Sequence, residues 1–312
     1  MRGAVSIAER IEAAEPFVPP LRPLGLADFL GREFPPRELL LSPWLPKKGL
    51  AMVFAPRGVG KTHFSLGVAY AVASAGRYLK WKADKPCRVL VIDGEMPAAA
   101  LQERWANLVE KSLTEPPSGD HVRILASDLC EFGIPDLSTE AGQKQLEPHI
   151  GDAELIVVDN LSTICRSGKE NESESWAIVQ AWALRQRREG RSVLFVHHAG
   201  KGGEQRGTSK REDVMDTVVK LSLPSDYSPA EGARFTVTFT KSRGFSGPDA
   251  DPFEATLRDG DWAIKSLDDV RTAQILDLYA EGLKQREIAT EIGCGLATVN
   301  RTIKRFKAEE GA

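Results

Sequence analysis

The stretch that constrains this chain most is Ala55-Pro-Arg-Gly-Val-Gly-Lys-Thr-His63. It follows the apolar run Gly49–Phe54, which reads as a buried strand, and precedes Phe64–Ala75, which reads as a helix. Strand, glycine loop and helix in that order make a phosphate-binding site. Gly58 and Gly60 let successive N–H groups turn inward, and the helix start adds the positive end of its dipole. The residues expected to cradle a nucleotide are Pro56, Arg57, Gly58, Val59, Gly60, Lys61, Thr62 and His63. Lys61 is placed to reach the β- and γ-phosphates, and Thr62 to hold Mg²⁺. Ala55 stands at the first position of the pattern, usually glycine, and its methyl group still permits a tight turn. ATP and Mg²⁺ are the expected ligands.

A large α/β domain follows from the alternation downstream. Arg88–Asp93 is a short β-branched run ending in Gly94-Glu95-Met96-Pro97, and a helix is expected from Ala98 to Lys111, then a strand around His121–Ala126. Glu154-Leu-Ile-Val-Val-Asp159 is an apolar run ending in a carboxylate, the pattern that places an aspartate beside the metal at the carboxyl end of a central strand. Asn160 follows it, so no glutamate adjoins Asp159 on that strand. Glu95 is the best candidate base instead, because a carboxylate at the tip of a neighbouring strand can orient the attacking water; capping the helix after Pro97 is its alternative role. A helix over Trp176–Glu189 leads to the strand Ser192–His197 and to His198. Strands expected at 218–223, 234–239, 253–257 and 262–264 extend the sheet in antiparallel fashion.

The 312 residues are 42% hydrophobic and 27% charged, enough for one α/β domain and a smaller unit. A net charge of -3 excludes a protein that coats nucleic acid nonspecifically, so any such contact must come from a local basic patch. Cys87, Cys130, Cys165 and Cys294 lie far apart without a CxxC pair, which fits reduced thiols rather than disulfides or zinc. No apolar run reaches the roughly 18 residues of a membrane helix, so a cytoplasmic protein without membrane contact is expected. Residues 1–46 are proline-rich with scattered anchors such as Phe17, Phe29, Phe34 and Trp44, and read as an arm; 47–266 read as the nucleotide-binding domain and 267–312 as a small helical domain.

The stretches APRGVGKT, VLVIDGEMP, LIVVDN, FVHHAGKG, QRGTSK and FTKSRGFSG, spread from Leu41 to Gly247, together resemble the RepA-type hexameric helicases of plasmids and phages and, more distantly, the DnaB-like replicative helicases. The resemblance implies a RecA-like P-loop core with a mostly parallel sheet, assembled as a homo-oligomeric ring, with ATP between subunits and single-stranded DNA in the channel. It further implies that His197 or His198 senses the γ-phosphate. Arg206, Lys241 and Arg243 match positions from which such families reach into the neighbour's ATP site; solvated loop charges are the other reading of all three. The glycine-rich segment 200–210, with Lys201 and Lys210, suits a contact to a sugar-phosphate backbone.

At the C-terminus, Arg271–Ala280, Gln285–Ile292 and Leu296–Lys307 read as helices around a Gly293-Cys-Gly295 turn. Ile288, Ala289, Ile292, Val299 and Ile303 supply the core of a helix-turn-helix, and no acid falls between Leu296 and Lys307. Duplex DNA would meet Arg301, Lys304, Arg305 and Lys307 through phosphates and Ala297, Thr298 and Asn300 through bases. Docking on protein is the other use of so small a hairpin. Three functions are consistent with these features: a ring-forming DNA-dependent ATPase and replicative helicase, an ATP switch tethered to one DNA site without unwinding, and a regulator whose nucleotide only controls oligomerisation.

Overall fold

The computed structural model describes residues 22–166, 173–199, 211–258 and 260–310. By their contacts they fall into two units, one ending at Pro36 and one beginning at Arg37. In the described part of the first, α1 (Leu26–Leu30) is a short helix, and the Phe29 and Phe34 rings lie 5.6 Å apart.

The second unit is built on a sheet with the strand order β13-β12-β11-β10-β3-β9-β8-β6-β7. Its strands β3 (Leu50–Ala55), β6 (Val89–Asp93), β8 (Leu155–Asp159) and β9 (Ser192–His198) are buried at every residue, as apolar runs without alternation must be when helices cover both faces. These four and β7 (Val122–Ala126) are parallel. So is β10 (Thr217–Ser222), which lies against β3 with Val218 opposite Met52. This corrects the expected antiparallel start of the extension. The chain leaves β9 on one side of β3 and returns on the other, and such a crossover preserves direction. Among the described strands of this sheet, β11 (Arg234–Ser242), β12 (Phe253–Arg258) and β13 (Asp261–Ser266) form its antiparallel part.

One face of the sheet carries α2 (Lys61–Ser74), apolar nearly all round and therefore buried over most of its length. Beside it lie the hairpin β1 (Leu39–Leu41) and β2 (Leu45–Pro46) and the hairpin β4 (Arg77–Tyr78) and β5 (Trp81–Lys82). Residues 37–46, expected in the arm, thus belong to the main body: Leu40, Leu41 and Leu45 are buried, and the Trp44 ring centre lies 5.2 Å from Trp81 and 6.2 Å from Phe64. The proline content suggested an arm, but burying Leu40, Leu41, Trp44 and Leu45 outweighs it. Helix α3 (Ala98–Glu110) adds Leu101 and Trp105 to this core. The opposite face is covered by α4 (Glu140–Ile150), α5 (Leu161–Ile164) and α6 (Ser173–Arg188), with Trp176 and Trp182 against Phe195.

The C-terminal helices are α7 (Leu267–Ala280), α8 (Gln285–Ile292) and α9 (Leu296–Glu310). Helix α7 begins four residues earlier than expected because Ser266, the last residue of β13, caps it, accepting from the Asp269 amide at 3.0 Å. No linker separates sheet and helices. Ile275, Ile288, Val299 and Ile303 form the buried centre, with Ala289 and Ile292 packed at its margin.

Candidate functional site

The carboxyl ends of β3, β6, β8 and β9 face a cavity of about 430 Å³ whose floor is the phosphate loop. Gly58 and Gly60 hold φ of 81° and 107°, the left-handed region that L side chains resist, and so let the chain turn from β3 into α2. Arg57 to His63 all line the cavity. Pro56 contributes its carbonyl: Lys61 Nζ donates to the Pro56 oxygen at 2.8 Å and to the Ala55 oxygen at 2.9 Å. Burial lowers the Lys61 pKa. The ammonium is therefore folded onto its own loop, a short swing from the phosphates it is suited to bind.

Asp159, at the end of β8, is 4% exposed and accepts from Ser65 Oγ at 3.0 Å and from the Thr62 hydroxyl. Burial, followed by the neighbouring Asp93 carboxylate, pushes its pKa up to about 7. A bound cation would remove that cost. The donors here are hydroxyl and carboxylate oxygens, which fit Mg²⁺. Among the described residues no group of three His, Cys, Asp or Glu side chains could hold a metal by itself. Thr62 and Asp159 would hold a Mg²⁺ that arrives with phosphates, and such an ion needs no cage made by the protein alone.

Glu95 is aimed by Asp93, whose Oδ1 accepts the amides of Glu95 at 2.9 Å and Met96 at 2.7 Å. Its Oε2 accepts from Asn160 Nδ2 and lies 3.4 Å from His198 Nε2, while the Asn160 amide nitrogen is 3.2 Å from the same His198 nitrogen. Burial and then the Lys61 charge lower the His198 pKa, which favours a neutral ring. The arrangement can position a water beside a terminal phosphate and report its presence along β9. Alternation along β9 separates the two histidines. His198 lines the cavity, whereas His197 is turned to the opposite face with Nε2 at 2.9 Å from Arg211 Nη1.

The other candidates lie elsewhere. Lys241 and Arg243 sit at the far end of β11 from the cavity, where Lys241 Nζ reaches the carbonyls of Glu212 and Asp213 and Arg243 Nη2 reaches that of Asp213 at 3.2 Å. Lys201, Arg206 and Lys210 lie outside the described residues. On α9, Arg301, Lys304 and Arg305 are exposed and Thr298 and Asn300 half-buried.

Several residues of the site are missed by the sequence reading. Asn160 enters it only as the position where a glutamate is absent; Ser65, one helical turn after Thr62 and bonded to Asp159, carries a signal in its spacing. Arg104, whose charge together with burial lowers the His63 pKa, and Tyr227 carried none.

A family described as AAA domain matches residues 17–204, and one described as homeodomain-like domain matches residues 267–312. The chain belongs to the AAA domain family. No curated protein matches it. Among solved structures, a KaiC-like protein of the hyperthermophilic archaeon Pyrococcus horikoshii is similar with a TM-score of 0.53 at 14% identity, over 72% of this chain and 93% of that one. At that identity the likeness is one of fold: a RecA-like P-loop ATPase fold, here followed by a helix-turn-helix. Within the matched AAA domain residues lie the phosphate loop, Glu95, Asp159 and both histidines; Tyr227, Lys241 and Arg243 lie beyond them. No helix among the described residues of this AAA domain protein is long and apolar enough to cross a membrane.

Proposed function

We propose that the chain is a ring-forming, DNA-dependent ATPase of the RepA helicase type that couples ATP hydrolysis to movement on single-stranded DNA, with a hexamer as the assembly. Lys61 and the loop amides hold the phosphates, and Thr62 and Asp159 hold Mg²⁺, which when bound neutralises charge on the β- and γ-phosphates. Glu95 orients and deprotonates the attacking water, and Asn160 and His198 fix its carboxylate. The observation that carries the ring is the placement of Lys241 and Arg243. Strand β11 starts at Arg234 in the cavity wall and runs nine residues to Ser242, a span of about 30 Å at the usual rise. Cations there lie out of reach of their own phosphate loop and suit a neighbour's, where charge develops on the transferring phosphoryl group. Lys201 and Lys210 contact the single strand, and Arg206 is a second candidate for the trans contact.

The test is a mixture of two inactive proteins, Lys61→Ala and Arg243→Ala. Part of the ATPase activity should return, because some interfaces then pair an intact loop with an intact finger. No recovery while subunits demonstrably exchange means that the site is complete in one chain and the ring fails; repeating with Arg206→Ala asks whether that residue shares the role.

The exposed basic face of α9, on helices joined to the sheet without a linker, favours a second reading. In it the ATPase is a switch held at a duplex site by Arg301, Lys304 and Arg305 on phosphates and by Thr298 and Asn300 on bases. Strand displacement of a forked substrate separates the two readings.

A further inference from the structure

The cavity has two chemically different ends. Lys61, Thr62, Asp159, Glu95 and His198 crowd one of them, and His63 and Arg104 also line the cavity. The opposite wall is the turn joining β10 to β11, which supplies Tyr227, Gly232, Ala233 and Arg234. Arg234 might be taken for a phosphate ligand, but it is already surrounded. Its guanidinium lies 3.0 Å from Asp226, 2.9 Å from Glu231 and 2.8 Å from Glu254, and these partners raise its pKa. Three carboxylates already hold this one guanidinium, so the wall is poorly suited to phosphate and suits an uncharged group. Tyr227 is half-buried there, with its hydroxyl donating to the Gly232 carbonyl at 2.9 Å, so its ring is tethered at both ends while bordering the cavity.

The same turn touches the C-terminal helices. Asp226 lies next to Tyr227 in the chain, accepts from Arg234 Nη2 with both oxygens at 3.0 and 3.1 Å, and is reached by Gln274 Nε2 of α7 at 3.4 Å. Helix α7 starts directly from β13, and Trp262 of that strand packs on Phe235 with ring centres 5.2 Å apart. Phe235 in turn borders Gly60 of the phosphate loop, with its ring carbons 3.6 Å from where a Cβ would stand.

The geometry points to the β10–β11 turn as the nucleoside platform of this site, with Tyr227 stacking on the base of a nucleoside triphosphate and Gln274 of α7 positioning the turn through Asp226. The inference rests on the nucleotide-binding reading of the phosphate loop and adds to it which chain segment takes the base, and that the helix-turn-helix holds that segment.

The experiment is titration calorimetry of the full chain in Mg²⁺ with two probes, ATP and inorganic tripolyphosphate, which shares the phosphates and lacks the nucleoside. Tyr227→Ala should weaken ATP roughly 5- to 150-fold, the range lost when a base-stacking aromatic is truncated, and leave tripolyphosphate unchanged. Tyr227→Phe should keep ATP near the wild-type affinity, which also guards against a fold defect. Gln274→Ala should weaken ATP by roughly two- to tenfold, the scale of one hydrogen bond, again without touching tripolyphosphate. Unchanged ATP affinity in Tyr227→Ala, or equal loss for both probes, overturns the platform. An unaltered Gln274→Ala overturns the part assigned to α7. If the wild-type chain binds neither probe, the phosphate-loop reading itself has failed, a result distinct from the others.

Discussion

Strands β3, β6, β8 and β9 bury every residue, whereas β11 and β13 alternate between covered and open positions. The difference lies in what covers them. The parallel half is sandwiched between helices on both faces, so polar groups can appear only where a strand ends, and Asp93, Asp159 and His198 all stand at such ends. Low-dielectric surroundings then act on them together, raising the pKa of both aspartates and lowering that of His198. The antiparallel half faces solvent along its length and spreads its charges: Arg234 among three carboxylates at one end, Lys241 and Arg243 at the other, and a helical domain on its edge strand. Perturbed titratable groups are concentrated in the first half, and the contact with the helical domain belongs to the second.

The largest expected effect tests whether catalysis really belongs to the buried half. Glu95→Gln keeps nucleotide binding and lowers turnover by roughly two to four orders of magnitude, the scale of lost acid–base help. Single-turnover hydrolysis with saturating ATP measures it, and near-normal turnover would move the base off β6. The next effect lies on the other side. Ile288→Ala, in the four-residue buried centre of the C-terminal helices, costs about 2–5 kcal/mol of their local stability. Amide exchange should quicken across 267–310 while the parallel strands stay protected; a common loss in both would show one cooperative unit and dissolve the contrast. The smallest effect is graded with pH. Asp159, with its pKa near 7, is protonated below that value and must lose the proton to attract Mg²⁺. Mg²⁺-dependent ATP affinity should therefore rise by about tenfold per pH unit up to pH 7 and level off above it. Asp159→Asn should flatten the profile, and an unchanged slope in that variant would assign the titration to another group.

Much of the parallel half was legible in the sequence, since a buried strand ending in a carboxylate and a glycine loop before a helix are local patterns. The helical domain was legible too, because Ile288, Val299 and Ile303 follow the helical period. The antiparallel strands were placed nearly to the residue, yet β10 was assigned the wrong direction. Alternation tells which face of a strand is covered; it says nothing about which way the chain re-enters the sheet.

By itself, then, the sequence determined the phosphate loop, the α/β alternation and the helix-turn-helix, all of which depend on residues close together in the chain. Only the tertiary structure decided that Asn160 joins Glu95 to His198, partners 65 and 38 residues away, and that His198 rather than His197 faces the nucleotide cavity. It also drew residues 37–46 into the core and set Tyr227 opposite the phosphate loop. The physical reason is shared: each of these placements follows from how strands distant in sequence are ordered and registered in one sheet, and burial periodicity within a segment does not encode its neighbours.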